Sequence, residues 1–137
     1  MGNENYSEKV SVNINSSTLS NIDLLVDNGY YSNRSDFINQ ALRNSLQQHQ
    51  STLDRIIDQN MKAAGEEEPW FVGVYGLTAA DIEKMYAAGN TIHLRGYGVL
   101  VIDKGCEEEK LFAVLESVSI KGKVFCSDSV KQHYKIK

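Results

Sequence analysis

The sequence has 137 residues, of which 42% are hydrophobic, and a formal net charge of −4. This length allows one ordinary domain or two small ones, and the apolar content excludes a disordered chain. No apolar run is long enough to span a bilayer, and residues 1–5 lack a charged and then apolar signal, so we expect a cytoplasmic protein without a membrane partner. Residues 1–50 contain three basic and five acidic side chains, which is a thin basic charge for a nucleic-acid-binding protein.

The first predicted element is a β-strand over residues 9–15, where polar and apolar residues alternate. Its apolar face carries Val10, Val12 and Ile14, and its polar face carries Lys9, Ser11 and Asn13. No second strand of similar pattern follows for about fifty residues, and a lone strand is not stable in water. We therefore predict that this strand pairs with the same strand of a second chain.

Two helices are predicted behind the strand. The first begins in the cap-forming cluster at residues 15–18 and ends at Asp27, since Gly29 suits the left-handed position after a helix. Ser32 is the predicted N-cap of the second helix, and an apolar stripe follows from Phe37 and Ile38 through Leu42.

The order of strand, capped helix, glycine turn at residues 28–32 and second helix opening at residues 33–38 resembles the ribbon-helix-helix family, which includes Arc, MetJ and CopG-type repressors. The resemblance covers residues 8–47. In that family two chains pair their strands into an antiparallel ribbon that lies in the major groove of DNA. The resemblance implies base contacts by Lys9, Ser11 and Asn13, phosphate contacts at Ser32, Asn33 and Arg34, and a dimer core of Val10, Val12, Ile14, Phe37, Ile38 and Leu42.

The helical pattern continues past Leu42 as far as Ala64, either as one long second helix or as a second helix followed by a linker helix. Gly65, three glutamates and the only proline then end it. We therefore predict a DNA-binding and dimerisation domain at residues 1–48, a helical linker at 49–69 and a small C-terminal α/β domain at 70–137. The predicted fold class is α+β.

Residues 70–137 contain a weak repeat of three glycine-interrupted apolar segments, 72–84, 92–102 and 119–131. The marker glycines of this repeat, Gly76, Gly98 and Gly122, are 22 and 24 residues apart. Two arrangements fit: a solenoid-like strand-helix repeat with a parallel sheet, and a ferredoxin-like domain with a hairpin turn at residues 96–98. Two further predictions are a capping box at residues 78–81 and a middle helix whose stripe runs from Leu111 to Val118.

The side chains of residues 70–137 form no evident catalytic or metal site, since His93, Cys106, Cys126 and His133 are widely spaced. We therefore predict no enzyme, no cofactor and no bound metal. Two functions remain. The first is a homodimeric, sequence-specific DNA-binding transcription regulator, expected to be a repressor, whose residues 70–137 oligomerise or bind an effector or protein partner. The second is a dimeric scaffold, or an antitoxin-like protein, that acts through its C-terminal domain without reading DNA.

Overall fold

The computed structural model describes residues 6–136; residues 1–5, where no targeting signal is expected, and residue 137 lie outside this range. The described residues form six helices and one three-stranded sheet, which confirms a mixed α+β protein. In chain order the elements are α1 (Ser16–Asp27), α2 (Arg34–Gln48), α3 (Gln50–Ala63), β1 (Trp70–Leu77), α4 (Ala79–Ala88), β2 (Ile92–Ile102), α5 (Glu108–Val114), β3 (Leu115–Phe125) and α6 (Asp128–Tyr134).

The chain divides into two compact units between Arg55 and Ile56, and we refer to them as the N-terminal unit and the C-terminal unit. This boundary lies inside α3, within the predicted linker at residues 49–69. The partition into 1–48, 49–69 and 70–137 stays a prediction. Helices α2 and α3 are separate, with His49 between them, so the stripe that continues past Leu42 belongs to two helices and not to one long helix.

The ends of α1 follow from local hydrogen bonding. The Asn15 side chain accepts a hydrogen bond from the Ser17 N–H at 2.9 Å, and Gly29 adopts a φ of +83° just beyond the helix. The predicted cap of α2 was wrong by one residue, because Asn33 and not Ser32 is the N-cap. The Asn33 side chain accepts from the Asp36 N–H at 2.7 Å, which leaves Ser32 outside the helix.

Residues 6–15 lead into α1 and form no strand ladder within the single chain. The predicted strand at 9–15 was expected to pair only with a second chain, so it stays a prediction.

The C-terminal unit contains a parallel sheet with its strands in chain order, β1-β2-β3. This order agrees with the strand-helix repeat. The ferredoxin-like alternative was wrong, because residues 96–98 lie inside β2 and form no hairpin turn. The middle helix was predicted to carry the apolar stripe from Leu111 to Val118, and this was wrong at its C-terminal end. Helix α5 ends at Val114, and the apolar residues after it belong to β3.

Helices α4, α5 and α6 contribute apolar side chains to one core with one face of the sheet. Fully buried members include Ile82, Leu94, Leu100, Leu111 and Leu115. The predicted capping box begins α4: the Thr78 side chain accepts from the Asp81 N–H, and the Asp81 carboxylate accepts from the Thr78 N–H, both at 3.1 Å.

A row of three glycines crosses this sheet. Gly73 pairs with Gly98, which pairs with Gly122, and all three have a positive φ, between +117° and +146°. A Cβ atom on Gly98 or Gly122 would overlap the carbonyl oxygen of the preceding glycine in the row. The sequence repeat was therefore aligned wrongly in its first segment, where Gly73 and not Gly76 is the matching residue.

Candidate nucleic-acid interface

The predicted base-contacting residues precede α1 on the surface of the N-terminal unit. Lys9, Ser11 and Asn13 are all exposed. The apolar residues between them are equally uncovered, since Val10 is 76% exposed and Val12 is 71% exposed. The segment therefore presents both of its predicted faces to the surroundings of the single chain.

Part of the predicted dimer core lies together along one surface groove. Val10, Val12 and Ile14 line this groove with Leu19 of α1 and Ile38 of α2. Phe37 instead contacts Tyr31, with ring centroids 4.9 Å apart in an edge-on arrangement. Leu42 does not line the groove and is 56% exposed. The structure thus brings four of the six predicted core residues to one place.

The N-terminal unit has almost no core of its own. Among its described residues Ile22 is the one buried hydrophobic side chain. Large apolar residues on α1 and α2, among them Leu24, Leu42 and Leu46, are exposed. An exposed apolar surface of this kind on a small folded unit is typical of a protein interface.

The predicted phosphate site lies at the start of α2, where the first helical N–H groups have no partner within the helix. The Ser32 N–H is already occupied, because it donates to the Asp36 carboxylate at 3.0 Å. The Arg34 and Ser35 N–H groups have no acceptor among the described residues. Hydrogen bonds from the Ser32 N–H and the Gln40 amide hold the pKa of Asp36 below its usual range, which keeps a negative charge beside this site.

The Arg34 side chain, predicted to contact phosphate, is engaged within the unit. Its Nε lies 2.7 Å from Asp23 Oδ1, and its Nη2 lies 2.8 Å from Asp23 Oδ2. This two-point ion pair lowers the pKa of Asp23 and joins α1 to α2. This ion pair was not predicted from the sequence, because the two residues are eleven positions apart on different helices. Lys9 and Arg43 form no ion pair within residues 6–136.

The predicted absence of a metal site concerns residues of the C-terminal unit. Residues 6–136 contain no cluster of three or more metal-ligating side chains. Cys106 and Cys126 are free thiols, and burial raises the pKa of each. His93 binds Glu116 at 2.7 Å and Ser117 at 2.9 Å.

None of the described helices combines the length and apolar character that a membrane crossing requires.

Comparison with known protein families gives a match over most of the chain. A model described as the Ribbon-Helix-Helix transcriptional regulator family matches residues 5–131. The chain matches no curated protein and no solved structure. The family match extends far beyond residues 8–47, where the sequence alone carried the resemblance, and it includes nearly all of the C-terminal unit. The matched residues therefore include the three strands, α4, α5 and the beginning of α6.

Proposed function

This chain belongs to the ribbon-helix-helix transcriptional regulator family, and on that premise we propose that it is a homodimeric repressor that reads operator DNA through an intersubunit β-ribbon. The observation that carries the proposal is the segment before α1. Its polar residues and its apolar residues alternate, and both sets are exposed in the single chain. An antiparallel pairing of two such segments covers the apolar set and leaves the polar set for DNA.

Burial supplies the driving force for this dimer. Among the described residues of the N-terminal unit, Ile22 is the single buried hydrophobic residue, so the exposed valines and leucines gain most from a second copy. Burying one Val, Leu, Ile or Phe side chain contributes about 1.5–3 kcal/mol. The six proposed core residues of each chain are Val10, Val12, Ile14, Phe37, Ile38 and Leu42.

The polar side chains of the ribbon have the chemistry to distinguish bases. Lys9 donates to the acceptors of guanine, Asn13 pairs with adenine through two hydrogen bonds, and Ser11 donates or accepts. Phosphates are proposed to bind at the start of α2, near Ser32, Asn33 and Arg34. The Arg34 and Ser35 N–H groups supply the donors there, because the Arg34 side chain is held by Asp23.

The N-terminal unit has few basic side chains, and this low positive charge determines the expected mode of DNA binding. Each dimer neutralises few phosphates, so its affinity falls only modestly with salt. We propose that several dimers bind side by side on one operator.

Selection from a pool of random duplex DNA tests the proposal. We expect enrichment of a short inverted or tandem repeat, and we expect the triple variant Lys9→Ala, Ser11→Ala, Asn13→Ala to lose this enrichment while it remains a folded dimer. The matched control replaces exposed residues of the same three types elsewhere, Lys104, Ser51 and Asn90, with alanine and retains enrichment. Absence of any enrichment at low salt contradicts the proposal.

A second candidate is a dimeric scaffold that does not read DNA. The Asp23–Arg34 ion pair favours it, since this pair removes one of the few cations of the N-terminal unit from contact with phosphate. The scaffold predicts a stable protein partner that co-purifies through residues 70–137, together with a failed DNA selection.

A further inference from the structure

The parallel sheet of the C-terminal unit has one face that its helices do not cover. Residues on this open face include Val72, Val74, Arg95, Tyr97, Lys121 and Lys123, which the strand register places side by side. Val74 is 60% exposed and Tyr97 is 53% exposed. Parallel sheets are almost always covered on both faces, so an uncovered apolar face calls for a partner.

Charge on the open face is mainly positive. Arg95, Lys121 and Lys123 are exposed and form no ion pair among the described residues. One acidic side chain reaches this face: the Glu116 carboxylate binds His93 at 2.7 Å, at the end of the face where β2 begins. The face therefore attracts an anion.

An exposed aromatic ring lies among these cations. Tyr97 is on the central strand, opposite Lys121 in the register and two residues from Arg95. Its ring contacts Trp70 edge-on, with centroids 6.3 Å apart, and both rings border a surface groove together with Ser119. A planar group that enters this groove meets an aromatic ring and two cationic side chains.

A second copy of this chain is a poor occupant of the open face. Face-to-face pairing brings three cations of each copy together, and the carboxylate on the face, that of Glu116, is already bound to His93. Like charges that meet at an interface weaken association. The fitting partner is an anionic chain that also offers flat apolar surfaces.

We propose that the open face binds single-stranded nucleic acid. Backbone phosphates lie at Arg95, Lys121 and Lys123, and one unstacked base lies on the Tyr97 ring. Basic grooves with aromatic platforms are the general means by which proteins hold single strands without strong sequence preference. A duplex does not fit in the same way, because its bases are stacked inside. This activity is separate from the proposed reading of duplex DNA by the N-terminal ribbon.

Fluorescence anisotropy of a labelled oligothymidylate with the full chain tests this proposal. We expect binding at low salt that persists in the Lys9, Ser11, Asn13 triple-alanine variant. The double variant Lys121→Gln, Lys123→Gln lowers the slope of log affinity against log salt by about 1.4, because each phosphate contact contributes about 0.7 for single strands. The matched control, Lys84→Gln with Lys104→Gln, makes the same charge change at exposed lysines off the face and leaves the slope unchanged.

Replacement of the ring separates stacking from charge. Tyr97→Ala weakens binding by about tenfold or more, whereas Tyr97→Phe retains it, since stacking needs the ring and not the hydroxyl. Circular dichroism checks that each variant is folded. The proposal is overturned if wild-type protein does not bind the oligonucleotide at low salt, if both lysine pairs act alike, or if Tyr97→Ala binds normally. It is also overturned if polyglutamate displaces the strand at an equal concentration of charge, because the face then recognises an acidic peptide.

Discussion

The two units of this protein have similar amphipathic patterns but differ in how many apolar residues they bury within one chain. In the C-terminal unit fourteen hydrophobic residues are buried within one chain, whereas the described part of the N-terminal unit buries only Ile22. Both units have capped helices and regular apolar stripes. Such a pattern therefore specifies a buried face without specifying which chain covers it. Four substitutions test this contrast, and they are given in decreasing order of expected effect.

The self-contained core predicts a large effect at Leu94, which is fully buried in β2. Leu94→Ala should lower the free energy of unfolding of the C-terminal unit by about 2–5 kcal/mol, because it leaves a cavity that the packed core fills only in part. Trp70, the only tryptophan, reports this transition by fluorescence during denaturation. The loss should not depend on protein concentration, and a loss that does would show that this core also requires a partner.

The N-terminal unit leaves most of its apolar residues exposed, so we expect a different behaviour at Leu42. Leu42→Ala should destabilise the folded dimer by about 2 kcal/mol and raise its dissociation constant in sedimentation equilibrium, since the proposed dimer buries this side chain. As a surface residue of a monomer, the same side chain would change stability by about 0.5 kcal/mol or less. Asn39→Ala, at an exposed polar position of the same helix, is the control and should leave the dissociation constant unchanged.

Alkaline pH should weaken the C-terminal unit. The Tyr134 hydroxyl donates to the Leu115 carbonyl at 2.5 Å, and burial raises the pKa of Tyr134 to about 12. A raised pKa contributes stability that is complete below the usual value of 10.0 and is lost as the pH rises towards 12. Tyr134→Phe should therefore lower the free energy of unfolding by about 1 kcal/mol at neutral pH. It should also remove the part of the destabilisation at alkaline pH that the Tyr134 hydroxyl causes. Denaturation followed at Trp70 measures both effects, and Tyr86→Phe, at an exposed ring, should show neither.

Acidic pH should weaken the N-terminal unit instead, by a smaller amount. Arg34 lowers the pKa of Asp23, so the ion pair stabilises the fold above the usual value of 3.8 and is lost as the pH falls below it. Asp23→Asn removes this acid-linked loss, which helical circular dichroism follows. The substitution also frees Arg34 for phosphate and should steepen the salt dependence of duplex binding by about 0.9 per chain. Asp27→Asn, at an exposed carboxylate near the end of α1, should do neither.

Local chemistry was the part of the fold that the sequence predicted best. The end of α1 at Asp27, just before Gly29, and the capping box of α4 depend on neighbouring residues, and both were confirmed. β2 spans residues 92–102, as the apolar segment indicated. The α2 cap was wrong because Ser32 and Asn33 are both good capping residues, and the contacts of Asp36 decide between them.

Features that depend on distant residues were not accessible to pattern analysis. Spacing alone left a parallel repeat and a ferredoxin-like domain open, because residues 92–102 fit either one strand or two strands joined by a hairpin turn at residues 96–98. The pairing of Arg34 with Asp23 requires knowledge of how α1 and α2 meet. Within the proposed site, the polar and apolar residues of the ribbon were predicted directly from their alternation in the sequence. The selection experiment tests whether they contact DNA.

The glycine row in the sheet has a consequence for how this family member can change over time. A strand that slips by one residue brings a side chain with a Cβ against a neighbouring carbonyl oxygen at Gly98 or Gly122. The row therefore fixes the register of the three strands. This constraint does not depend on the length of the segments that connect them. Insertions in the turns around α4 and α5 should be tolerated, whereas a single-residue deletion within β2 should prevent the sheet from assembling.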